Sequence, residues 1–118
     1  MFGQFKVLGG DYAKHQAMFQ AGKFTFIPKG KITGGTSYGK ANIKMVEQLD
    51  EENKKKVLGT LGWGTAGLLV LGPLGAIGGM LVGGKGKKVI FVAEFSDGKK
   101  IMGETDSKLF TKIRVALF

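Results

Sequence analysis

Cysteine is absent from this 118-residue chain. That excludes disulfides, thiolate nucleophiles and cysteine-based metal sites, and it fits a reducing compartment. Histidine occurs once, at His15. A zinc site would therefore need an unusual carboxylate-rich ligand set, so neither a metal nor a cofactor is expected. Arginine is nearly missing as well: Arg114 stands alone beside 17 lysines, against nine acidic residues and a net charge of +9. Arginine reads phosphates and guanine in a bidentate fashion, whereas lysine acts as a point charge. The balance favours diffuse attraction to anionic lipid or a nucleic-acid backbone over base readout, with plain solubility as the bland alternative.

The start of the chain, "MFGQFKVLGGDYAK", has no basic segment followed by an apolar run, so it does not read as a signal peptide. Its glycine follows Phe2, which breaks the myristoylation pattern. The expected location is the cytoplasm, at the cytoplasmic face of the membrane if the chain binds one. The acids Asp11, Glu94, Asp97, Glu104 and Asp106 and the serines Ser37, Ser96 and Ser107 fall in turn, cap or surface contexts. They do not converge on a catalytic set, and no enzyme is expected.

What is present falls into three zones. Residues 1–56 are mixed and polar, 57–84 carry no charge, and 85–118 are mixed again. The division suggests a split β-domain, 1–56 with 85–118, interrupted by an insertion at 57–84. "FKVL" predicts a short strand ending at Gly9-Gly10. Alternation around Phe24 and Phe26 predicts a strand near 23–28, ended by Pro28 and Gly30. Ala13, Met18 and Phe19 upstream fit a short helix or an edge strand. "KITGGTSYGK" is a loop on composition. "ANIKMVEQL" predicts a strand with Ile43, Met45 and Glu47 on one face and Lys44, Val46 and Gln48 on the other. "DEENKKK" suits a helix start, with Asp50 as cap. "KKVIFVAEF" is a continuous β-branched and aromatic run, hence a buried strand. Asp97-Gly98 is a strong hairpin signal, and "KIMGE" returns as the partner strand. In "ETDSKLFTKIRVALF", Thr105 or Asp106 caps a helix whose apolar face is Leu109, Phe110, Ile113, Ala116 and Leu117.

The uncharged insertion holds ten glycines and thirteen large apolar residues in 28 positions. Gly75, Gly79 and Gly83 recur every fourth residue, a spacing that lets helix backbones approach closely. Gly62 and Gly64 belong to a looser set before the break at Gly72-Pro73. Two helical arms are expected, 57–71 and 74–84. At 1.5 Å per residue they reach only about 22 Å and 16 Å, short of an apolar bilayer core of about 30 Å. Lysines flank both ends: Lys54, Lys55 and Lys56 before, Lys85, Lys87 and Lys88 after. Matching basic flanks place both ends on one side of a membrane. A hairpin dipping into one leaflet, a hairpin packed in an oligomer, and one folded against its own sheet all remain open.

The stretches "GTLGWGTAGLLVLGPLGAIGGMLVGGKGKKVIFVAEFSDGKKI" and "ETDSKLFTKI" resemble small bacterial and phage proteins in which a PH-like or GRAM-like β-domain carries a glycine-zipper hairpin. The resemblance implies an α+β fold: a small bent antiparallel sheet closed by a C-terminal amphipathic helix, with an inserted helical hairpin. It implies no reaction.

Two motifs tempt. "GGTSYGKA" nearly matches the phosphate-binding loop, but Ala41 stands where a hydroxyl should hold magnesium. "GKFTFIPKGK" interleaves aromatics with lysine, as a stacking platform for single strands would, although alternation favours core positions for Phe24 and Phe26. The expectation is a non-enzymatic, self-associating protein. Its hairpin would enter a membrane or build an oligomer core, and its β-domain would bind lipid or a protein partner. The alternative is a soluble basic adaptor or inhibitor of another protein or, less favoured, of nucleic acid.

Overall fold

The computed structural model of the chain describes residues 3–13, 15–31, 34–50, 52–63 and 88–117. Seven strands form one antiparallel sheet: β1 (Gln4–Gly10), β2 (His15–Gln20), β3 (Lys23–Pro28), β4 (Thr36–Tyr38), β5 (Ile43–Gln48), β6 (Lys88–Phe95) and β7 (Lys100–Asp106). Their spatial order is β4-β3-β2-β1-β7-β6-β5. Among the described residues two α-helices accompany them, α1 (Lys54–Thr60) and α2 (Ser107–Leu117).

The sheet curls so that its inner face closes on one aromatic core. Phe24 and Phe26 of β3 and Phe91 and Phe95 of β6 are fully buried there. Phe5 of β1 bridges the two halves, edge-on to Phe24 and Phe91 at 5.8 and 5.4 Å between ring centres. Helix α2 covers this face with Leu109, Phe110 and Ile113. Asp106 caps it, accepting a hydrogen bond from the Leu109 amide at 2.7 Å. The outer face carries a second cluster, Ile90, Val92 and Met102, under Val57, Leu58 and Leu61. β6 thus buries both faces, which is why its run is apolar without alternation. At Gly103 of β7 a Cβ would lie 2.8 Å from the Phe91 ring, so the core packs directly on the backbone there.

The fold class expected from sequence needs correction. Among the described residues the seven-stranded sheet dominates and there is no helical hairpin. The first arm was expected to run unbroken over 57–71. Instead α1 begins earlier, at Lys54, and ends at Thr60. Gly62 adopts a left-handed φ of +83° just beyond it. The physical reason is local. Val57, Leu58 and Leu61 find apolar partners on the outer face of their own sheet, and Gly59 and Gly62 lower the drive to prolong the helix. The rest of that arm, the second arm, and Gly64, Gly75, Gly79, Gly83, Lys85 and Lys87 lie outside the described residues.

Smaller corrections follow. The supposed loop at 31–40 contains β4, paired with β3 through Phe24, Thr25 and Phe26. Residues 15–20 form an interior strand, β2, between β1 and β3. A bulge between Ile43 and Met45 breaks the alternation of β5. Ile43 and Val46 therefore share the inner core while Met45 joins the outer one.

Candidate functional site

The two edges of the sheet differ. β4 is three residues long, too short to template much, whereas β5 offers six. β5 pairs with β6 on one side, and among the described residues no strand pairs with its other side. The bulge occupies its first half. Met45 to Gln48 pair regularly with Glu94 to Phe91 and leave a regular open edge.

A cavity of about 600 Å3 lies along that edge. Every residue from Ile43 to Gln48 lines it, together with Phe110, Arg114 and Leu117 of α2 and with Lys40. Successive strand residues point to opposite faces. A cavity touching six in a row therefore follows the strand's rim, with its open backbone groups, and not one face. The helix side is a stripe at i, i+4 and i+7, the spacing of a single face. Phe110 is buried, and the Arg114 guanidinium sits 5.8 Å from its ring centre, held by a cation–π contact. A smaller cavity of about 330 Å3 lies on the outer face of β5, between Met45, Glu47, Asn53, Lys56, Val57 and Thr60. An apolar-floored groove beside an open strand edge can take an extended chain: the backbone supplies the ladder and the cavities take alternate side chains.

The residues singled out from sequence are placed elsewhere. Lys55 and Lys56 are exposed on the first turn of α1, and Lys54 is half-buried. Lys88 opens β6, opposite Asp106. These four stand near one end of the β5–β6 pair, where the Leu49 amide donates to the Ile90 carbonyl at 2.8 Å. Lys56 lines the smaller cavity. Gly62 sits in the turn after α1.

The candidate acids are occupied structurally. Asp11 accepts from the Lys100 amide at 2.8 Å, and Asp106 caps α2. Asp97 accepts from the Tyr38 hydroxyl at 2.6 Å and from the Lys99 amide at 3.0 Å. Those two bonds, Tyr38 first, hold its carboxyl below the usual range. Burial, then the bond to Asp97, pushes the Tyr38 phenol far above its ordinary value. Tyr12 completes this chain, 2.5 Å from Tyr38. His15 stacks edge-on to Tyr12. Among the described residues no group of acids and histidine is arranged to hold a metal, and no helix is long and apolar enough to cross a membrane. The near phosphate loop is drawn into β4, with Lys40 starting a single 3₁₀ turn. Phe24 and Phe26 are fully buried, so neither can stack on a base.

No family model, no curated protein and no solved structure matches the chain. Sequence reasoning missed the groove. Its one usable signal was the lone arginine interrupting the apolar face of α2.

Proposed function

We propose that this protein is a non-enzymatic binding module that takes an extended segment of a protein partner onto the open edge of β5. The observation that carries the reading is the 600 Å3 cavity running along that edge, walled by Phe110, Arg114 and Leu117. The absorption of Asp11, Asp97 and Asp106 into turns and caps supports a non-catalytic role. Amide hydrogen exchange tests the reading. A blocked peptide Ser-Thr-Val-Phe-Val-Thr-Ser should slow exchange at Ile43–Gln48 and leave β4 unchanged. Protection at β4 and none at β5 would reject it.

A second reading concerns an anionic membrane surface at the cytoplasmic face. Lys54, Lys55, Lys56 and Lys88, gathered near one end of the β5–β6 pair, favour it. Association of the uncharged glycine-rich stretch with lipid or with a second copy belongs to this reading.

A further inference from the structure

We infer that the segment taken by β5 is acidic, built around one large apolar side chain with carboxylates two residues to either side. The inference rests on the reading of β5 as a docking edge. The groove has an apolar floor, Ile43, Val46 and Phe110. Its cations are Lys40, Lys44 and Arg114, against one carboxylate, Glu47. Of these cations Lys44 pairs with Glu94, at 3.9 Å and with the lysine side chain 68% exposed. Such a pair is weak, so the cationic lining stays largely uncompensated.

Spacing follows from strand geometry. Positions i and i+2 of an added strand face the same side. Lys40 and Arg114 border the cavity that the apolar anchor would fill, whereas Lys44 reaches Glu94 on the outer face of β6. The carboxylates that meet Lys40 and Arg114 therefore belong two residues before and after the anchor. Positions i±1 face the opposite cavity, where Lys56, Asn53 and Thr60 accompany Val57 and Met45; small or β-branched residues suit that mixed lining. The bulge limits the regular ladder to Met45–Gln48. A short ladder supplies little affinity alone, which leaves the anchor and the charges to set the preference.

The test compares three blocked, fluorescent peptides: Asp-Glu-Val-Phe-Val-Glu-Asp, the neutral Ser-Thr-Val-Phe-Val-Thr-Ser, and a version with lysine at the acidic positions. The acidic peptide should bind roughly tenfold or more tighter than the neutral one, with the lysine version weakest. The acidic advantage should shrink at high salt and vanish in the triple variant Lys40→Gln, Lys44→Gln, Arg114→Gln. These side chains lie on the surface, so the variant keeps the core. Equal binding of acidic and neutral peptides, with β5 amides protected by both, overturns the acidic preference and leaves the edge reading standing. Acidic binding without protection at Ile43–Gln48 overturns both. Displacement of the acidic peptide from β5 by oligo-dT, lost in the triple variant, overturns the protein partner in favour of a nucleic acid. Protection of β5 that rises with protein concentration in the absence of peptide overturns it in favour of a second copy.

Discussion

Two single residues carry conformations that can be measured. Ala21 and Gly22 join β2 to β3 with φ of +53° and +77°. Both values are left-handed, as a tight hairpin between Gln20 and Lys23 requires. Glycine adopts that conformation freely and alanine does not. Ala21→Gly should therefore raise stability by about 0.5–1 kcal/mol, read from the urea midpoint. Tyr38 is the opposite case. Its hydroxyl gives its proton to Asp97 and accepts one from Tyr12, tying β4 to the β6–β7 turn and the β1–β2 turn. Tyr38→Phe leaves the Tyr12 hydroxyl without that partner and should cost about 1–3 kcal/mol. The link also has a pH signature. The folded Asp97 carboxyl titrates below its unfolded value. Its contribution is therefore complete above the unfolded value, near pH 4, and is lost as pH falls through the folded one. The stability gap between the parent and Asp97→Asn should close on acidification across that window. A gap constant from neutral pH down to pH 2 would contradict the assignment.

At the scale of elements, what could be read from sequence was whatever local chemistry decides. β6 announced itself because both its faces are buried, β7 because Asp97-Gly98 forces a reversal, and α2 because Asp106 and the Leu109, Phe110, Ile113 spacing agree. β4 could not be read, because Thr36–Tyr38 becomes a strand only by pairing with β3. The groove was hidden by one extra residue. Strict alternation puts Ile43 with Met45, and the bulge at Lys44 puts it with Val46 instead. For α1 a helix near Asp50 was legible, but it starts at Lys54 after Asn53, with Asp50 held in the turn before it. Its partner was not legible, since nothing local says that Leu58 and Leu61 pack on Ile90, Val92 and Met102. Its far end is held by a long-range contact: the Lys100 ammonium donates to the Leu61 carbonyl at 2.6 Å, where the helix dipole favours a cation. Lys100→Met keeps the aliphatic stem and removes that bond. It should cost about 1 kcal/mol and speed amide exchange at Val57–Leu61. Unchanged exchange there would show that outer-face packing alone holds the helix.

For the whole molecule, nine of the eighteen cationic residues fall into two sets with different proposed tasks. The groove holds Lys40, Lys44 and Arg114. The other set brackets the uncharged stretch: Lys54, Lys55 and Lys56 on one flank, Lys85, Lys87 and Lys88 on the other. Of these, Lys54–Lys56 and Lys88 stand near the same end of the β5–β6 pair. Near an anionic leaflet each lysine contributes on the order of 1 kcal/mol, screened by salt. Replacing all six by Gln lowers the net charge from +9 to +3. It should weaken binding to phosphatidylserine vesicles strongly and to phosphatidylcholine vesicles little. The triple groove variant removes half as much charge, so nonspecific attraction would weaken vesicle binding in proportion. A surface-specific contact predicts otherwise: the groove variant keeps most vesicle binding and loses the acidic peptide, while the six-fold variant does the reverse. Vesicle sedimentation and peptide anisotropy on the same preparations decide between them. Vesicle binding that tracks net charge across both variants, or none by the parent protein, removes the membrane surface from the reading and leaves the β5 groove as the binding site.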